Sequence, residues 1–336
     1  MDDHGHTAAA IQKAEPVNQA LMLSGWRYRV LIGSVICSAV AYLAVSLWGG
    51  WSAVSAAVSR VGGWQGGQIV GMVLLGYGLR FLRWQVYLNA LRHPLPWRPS
   101  LKIYLAGFAL TTTPGKAGEA LRGVLLKRWD VPYAHSFAAL FSERLADLLA
   151  MIGLALFGLS AHPEWLSIVV ASLVLLACAG MLMFSPGLVR AIDRRIDQRH
   201  DGFSRLLRHA IEVLHQSRRC HTPRRLIGTT LLSLLAWGLE ALAFYWILQA
   251  MGADVDLAFA VFIYAVAMLA GALSLMPGGL GSAEAVMVAL LVSAGVGLPD
   301  AIAATVLLRL VTLWLAVLLG SVVLTNTAVE TMHDEI

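Results

Sequence analysis

Charge is scarce in this chain. Aspartate, glutamate, lysine and arginine make up 13% of its 336 residues, about half the roughly 25% of an ordinary soluble domain. So few charged groups cannot cover a water-facing surface of this size, which excludes a free-standing soluble domain. Cysteine is scarce too. Cys37 and Cys178 lie inside apolar runs and Cys220 in a basic stretch, a pattern that is neither a disulfide framework nor a metal site. All three read as small buried hydrophobes. Several chemistries are missing outright: the phosphate-cradling Gly-x-x-x-x-Gly-Lys-Ser/Thr loop, the Gly-x-Ser-x-Gly elbow and a His-Glu-x-x-His pair. The ten histidines fall mostly near the N-terminus and in the basic stretch. No catalytic residue, cofactor or metal is therefore expected, and the chain is not expected to be an enzyme.

Apolar sequence is what the chain has in quantity. Hydrophobic residues make up 58%, and the mean hydropathy is +0.70. They are gathered into blocks near the roughly 20 residues that cross about 30 Å of hydrocarbon. The blocks predict full spans at 30–48, 68–88, 134–159, 166–184, 226–251 and 301–325. Residues 1–28, ahead of the first block, are too long and too acidic for the n-region of a signal peptide, so that block reads as a retained span. The fold class expected is an all-α integral membrane protein. A cytoplasmic segment, 1–29, precedes one polytopic domain, 30–325, and a tail, 326–336, follows it.

The net charge of +5 would suit nucleic acid, but the positive residues sit between apolar blocks, where cytoplasmic loops carry them. No nucleic-acid partner is expected. Basic residues mark 92–102, 127–128 and 185–225 as cytoplasmic. This places both termini inside, in a cell (inner) membrane. The stretch 185–225 holds ten arginines, with Phe203, Leu207, Ala210, Ile211 and Leu214 at helical spacing, and predicts an amphipathic helix on the membrane surface.

Two segments fit no simple span. Residues 101–129 begin and end inside, and 257–296 begin and end outside; each is broken at its middle by Pro-Gly. Both read as re-entrant helical hairpins, with eight spans as the alternative if the hairpins cross. The two also resemble each other. Pro114, Gly115, Lys116, Gly118 and Glu119 answer to Pro277, Gly278, Gly279, Gly281 and Glu284. Glu119 to Arg144 is 25 residues, as is Glu284 to Arg309. Opposite entry faces make the halves, about 101–159 and 257–325, an inverted repeat, the architecture of many transporters. Irregular backbone at membrane depth must line a cavity or pack on protein, and the helix after each break aims its N-terminal amides there, which favours an anion.

Arginine within a span is costly, so Arg144 and Arg309 need partners. Two readings stay open: contact with a substrate phosphate, or fixed pairs of Arg144 with Asp147 or Glu119 and of Arg309 with Glu284. Glu143 and Asp147 share a helix face and either neutralise Arg144 or carry protons. Glu240, alone in its span, is a further candidate. Arg80 and Arg83, near the end of the second block, are expected to snorkel to the cytoplasmic interface.

The segments TTTPGKAGEALRGVLL (111–126), SERLADLLA (142–150), LMPGGLGSAEA (275–285) and LLRLVTLWLAVLLG (307–320), with RFLRWQVYLNAL (80–91), carry a resemblance. In their order and spacing the chain resembles the lysylphosphatidylglycerol synthase transmembrane, flippase-like family over about residues 30–325. The resemblance implies transbilayer movement of a lipid such as a phospholipid, hopanoid or polyprenyl-linked lipid. The substrate is expected to be held by Pro114, Gly115, Lys116, Gly118 and Glu119 of the first hairpin and Pro277, Gly278, Gly279, Gly281 and Glu284 of the second, together with Arg144 and Arg309. Eleven residues follow Thr325, so no aminoacyl-transferase half, and no aminoacylation, is expected. Lys116 stands where the second hairpin has glycine, so the halves need not bind alike. The alternatives are a non-catalytic membrane partner of a glycosyltransferase and a membrane-embedded lipid-modifying enzyme.

Overall fold

A computed structural model describes residues 51–113, 117–159, 202–274 and 276–333, with isolated positions 33, 170 and 174. The spans expected at 30–48 and 166–184, and the turn residues Pro114, Gly115 and Lys116, lie outside the described residues.

Every described element is helical. Helix α1 runs Trp51–Ala90. Helix α2, Trp97–Ala106, continues into a 3-10 turn, Gly107–Leu110, and α3 is Ala117–Lys127. Helix α4 is Tyr133–Leu159, α5 is Gly202–Cys220 and α6 is Pro223–Ala250. Helix α7, Leu257–Leu273, is followed by a 3-10 turn, Pro277–Gly279, and by α8, Ser282–Ser293. Helix α9, Leu298–Arg309, passes through a π-turn, Leu310–Trp314, into α10, Leu315–His333.

Two of the described stretches, Pro223–Ala250 and Leu298–Asn326, are long and apolar enough on composition alone to cross a membrane. Helices α1 and α4 have the length but carry the interior charges. The loop expected at 49–67 is instead helical from Trp51. Its alanines favour helix, and the break falls at one residue, Gly62 (φ +66°), a conformation that glycine alone adopts without strain.

The apolar core divides into two clusters at opposite ends of the bundle. One joins Val54–Tyr77 of α1 to Met151–Ala155 of α4, the end of α6, and α7 to α9. The other joins Phe81–Leu91 of α1 to Ala138 and Ala139 of α4, the α2–α3 hairpin, Cys220 and Leu324. The feet of the two hairpins therefore stand at opposite ends of α1 and α4. The turns meet between them: a Cβ built on Gly278 would lie 3.6 Å from the Thr111 carbonyl oxygen.

The packing repeats as well. Helices α1 and α6 lie together at the centre. Helix α4 rests on α7, the long arm of the second hairpin, and α10 rests on α2 and its 3-10 extension, the long arm of the first. Helix α4 also packs on α6, and α9 on α1. Small residues allow these approaches, as they do between membrane helices generally. A Cβ on Gly158 would meet Phe262 Cβ at 2.4 Å, and one on Gly320 would meet Ala109 N at 2.3 Å.

The predicted amphipathic helix forms as α5, but it packs on the bundle, along α4 and α1, with Ile211, Ser217 and Cys220 buried and Ala210 exposed. Helix α4, with 27 residues, is about 40 Å long, more than the roughly 30 Å of hydrocarbon, and its first turn lies against α5. There His135 Nδ1 lies 2.7 Å from His93 Nε2.

A charged cavity between the hairpin turns

A cavity of about 470 Å³ opens where the two turns meet. Tyr77, Arg80 and Arg83 of α1 line it, with Tyr104, Phe108, Thr111 and Arg122 of the first hairpin. Glu143, Arg144 and Asp147 come from α4, and Trp237 and Glu240 from α6. The second hairpin gives Met268, Leu273, Met276, Gly278 and Gly279, and the α9 junction gives Arg309 and Thr312.

The expectation that Arg80 and Arg83 snorkel to the interface is corrected. Helix α1 runs on to Ala90, so both residues sit deeper than the apolar block suggests. The Arg83 side chain is 1% exposed and meets Asp147 at 2.5 Å and Glu143 at 3.9 Å; it also donates to the Ser233 hydroxyl. Arg80 pairs with Glu240 at 2.6 Å and stacks on Trp237, 3.8 Å from the ring centre. Glu240 is thus not alone: its second oxygen accepts from the Tyr264 hydroxyl at 2.6 Å.

Glu143 and Asp147 face different arginines. Glu143 accepts from Arg122 at 3.1 Å. Asp147 serves Arg83, accepts from Trp237 Nε1 at 2.7 Å, and lies 3.7 Å from Arg144, whose side chain is half exposed. Arg122 escaped the sequence reading because it sits in a short, half-apolar segment ending in Lys127-Arg128. Its guanidinium lies 4.4 Å from the Tyr104 ring centre and 5.3 Å from that of Trp84. The aromatic residues at 77–108 could have signalled it, since buried guanidinium favours aromatic faces. Among the described residues, the buried Nε–H groups of Arg80, Arg83 and Arg122 have no hydrogen-bond acceptor.

The second hairpin is knitted by Arg309. Gly278 (φ +62°) and Gly279 (φ +66°) turn their carbonyls to its Nη2, each at 3.3 Å. Its Nε donates to Glu284 at 2.6 Å, and the other Glu284 oxygen accepts from the Gly281 N–H at 2.7 Å. The anion at the start of α8 is therefore the carboxylate of Glu284. Just beyond Arg309 the helix widens into the π-turn, where the Thr312 carbonyl accepts from the Tyr77 hydroxyl. In the first hairpin a Cβ on Gly118 would fall 2.2 Å from the Gly107 carbonyl oxygen, which holds the two arms in contact. Glu119 lies in the first turn of α3. Among the described residues, no three His, Cys, Asp or Glu are grouped to hold a metal ion.

The family of the lysylphosphatidylglycerol synthase TM region matches residues 27–320, which include both hairpins and every cavity residue. The chain belongs to this family. Its relatives include UPF0104 membrane proteins of Methanothermobacter thermautotrophicus. One is 28% identical, covering 71% of this chain and 78% of the relative; another is 27% identical, covering 83% and 88%. A UPF0104 membrane protein of Pyrococcus horikoshii is 22% identical, over 72% and 80%. No solved structure matches the chain. Membership makes this a membrane protein of a lipid-related family, and seven of the eight charged side chains described in the cavity lining, all but Glu240, come from the segments that carry the family likeness.

Proposed function

We propose that the protein moves an anionic or polar lipid across a cell (inner) membrane, without chemical change to it. One observation carries the reading: a charged cavity lies where two helical hairpins from opposite ends meet, and apolar side chains border it. Leu273 and Met276 line the cavity and are each about half exposed. Such a site suits an amphiphile, with the headgroup among the arginines and the tails left in lipid.

In this reading the chain has six spans and two re-entrant hairpins, related as an inverted repeat, with both termini in the cytoplasm. The hairpin arms support it. Helix α7, with 17 residues, is about 25 Å long, and α8, with 12, about 18 Å, both short of the roughly 30 Å of hydrocarbon. The paired contacts of the two halves fit alternate exposure of one site to either face.

The test is lipid movement in proteoliposomes of purified protein, read by fluorescence quenching from outside. Movement above protein-free vesicles, reduced at least ten-fold by Arg144→Gln with Arg309→Gln, is expected. Folded protein that moves no lipid would overturn the proposal. A second reading, a membrane partner for a glycosyltransferase, draws on the exposed Arg208, His215 and Arg219 of α5. It predicts that changing these three to glutamate abolishes function in cells while transport in vesicles persists.

A further inference from the structure

Resting on the lipid-translocation reading, we infer that Arg122 is the guanidinium that takes the phosphate oxygens of the lipid headgroup. The inward arginines are not held alike. Arg309 spends its donors inside the second hairpin, on Glu284 and on the Gly278 and Gly279 carbonyls. Arg83 gives both terminal nitrogens to Asp147, and one of them to Ser233 as well. Arg80 meets Glu240 at 2.6 Å, and Tyr264 fixes the other oxygen of that carboxylate.

Arg122 is held more loosely. Among the described residues its one hydrogen bond is the 3.1 Å contact of Nη1 with Glu143, and its Nε–H is buried without an acceptor. The side chain is only 10% exposed. Aromatic rings hold it instead: the ring centres of Tyr104, Trp84 and Phe108 lie 4.4, 5.3 and 5.7 Å from the guanidinium carbon. Attraction to a ring face fixes a cation without using up a hydrogen-bond donor. Gly107 completes the slot. A Cβ there would fall 2.4 Å from Arg122 Nε and 2.8 Å from its Cγ, so the arginine lies where a larger residue would put its side chain.

A buried guanidinium placed by packing, with donors to spare, is a built site for an oxyanion. Buried donors without acceptors are costly, and the guanidinium fork matches two oxygens of one phosphate. Arg122 lines the cavity from α3, the short arm of the first hairpin, so a bound headgroup is joined directly to that hairpin. A lipid phosphate ester and inorganic phosphate offer the same oxygens.

Calorimetric titration of the detergent-purified full chain separates the two sources with three probes: dihexanoyl phosphatidylglycerol, dihexanoylglycerol and inorganic phosphate. Phosphatidylglycerol should bind at least ten-fold more tightly than the other two. Glu143→Gln releases the guanidinium from its carboxylate and should tighten that binding at least three-fold; a merely structural Arg122–Glu143 pair would weaken it. Arg122→Gln added to Glu143→Gln should then weaken binding at least ten-fold. Gly107→Ala alters no charged group, but its methyl displaces the Arg122 side chain and should weaken binding at least five-fold. Melting temperatures report the fold of each variant, and Gly107→Ala decides if the double variant unfolds. Equal affinity of Glu143→Gln and the double variant would overturn the assignment of Arg122 and leave translocation standing. Equal binding of dihexanoylglycerol would overturn recognition of an oxyanion, and equal binding of inorganic phosphate would overturn the lipid as its source. Binding that depends on Arg122, with no lipid movement in vesicles, would keep the assignment and remove translocation alone.

Discussion

Arg309 and Glu284 stand 25 residues apart and meet at 2.6 Å across the second hairpin, where the arginine also holds the Gly278 and Gly279 carbonyls. The pair joins the π-turn junction of α9 and α10 to the start of α8. Removing one member leaves the other buried and uncompensated, which costs about 3–5 kcal/mol. Arg309→Met or Glu284→Gln alone should lower thermal stability in detergent by about that much. The double variant should recover at least a third of the combined loss.

Tyr264 donates to Glu240 at 2.6 Å while Arg80 holds the other oxygen. Tyr264→Phe removes one hydroxyl and leaves the carboxylate one donor short, at a cost of about 1–3 kcal/mol. Thermal unfolding of the purified protein checks this. A loss below about 0.5 kcal/mol would mean that the hydroxyl is not needed there.

Glycine contacts give a contrast. Gly320→Ala drives a methyl into the first hairpin, with Ala109 N at 2.3 Å, and should destabilise by about 1–3 kcal/mol. Gly238→Ala meets nothing within 4 Å inside α6 and should stabilise by about 0.5–1 kcal/mol through helix propensity. The same unfolding assay ranks the two.

The His93–His135 contact makes the docking of α5 depend on pH. Burial, and then the neighbouring His93, lower the affinity of His135 for a proton. The folded state therefore favours the neutral ring. This contribution is complete above the ordinary histidine value near 6.5 and is lost as pH falls through the lowered folded value. Hydrogen exchange of α5 should speed up between pH 7 and pH 5, and His135→Gln should remove the change.

Burial also protects Cys220, pushing its thiol up to about 11. Maleimide should label Cys220 slowly at pH 7.5. Ile211→Asp, which charges the buried face of α5, should raise labelling at least ten-fold if the helix depends on that face for docking.

Patterns within one segment were legible in the sequence. Pro-Gly breaks, the Glu284–Arg309 spacing and the α5 stripe are local, and the structure has helical hairpins, a direct pair and an amphipathic helix at those positions. What escaped was set by distant chain. Arg80 and Arg83 read as interfacial because their partners, Glu240 and Asp147, lie 160 and 64 residues away. Arg122 read as part of a basic helix end because nothing near it names Glu143 or the Tyr104 ring. The π-turn had no local signal: Leu310–Trp314 is apolar helix by composition, and the Tyr77 hydroxyl at Thr312 comes from another helix.

The distances between Arg80, Arg83 and their partners also bear on how the protein is made. Helix α1 emerges from the ribosome with both arginines, and Glu240 follows 160 residues later. At about 5–20 residues per second, that is an interval of about ten to thirty seconds. Arg83 meets Asp147 and Glu143 once α4 follows, but Arg80 has no carboxylate until α6 arrives, and lipid is a poor place for it to wait. Helix α1 must therefore be sheltered by the insertion machinery, or stay at the membrane surface, until α4 and α6 arrive, so the three helices enter the bilayer as a set.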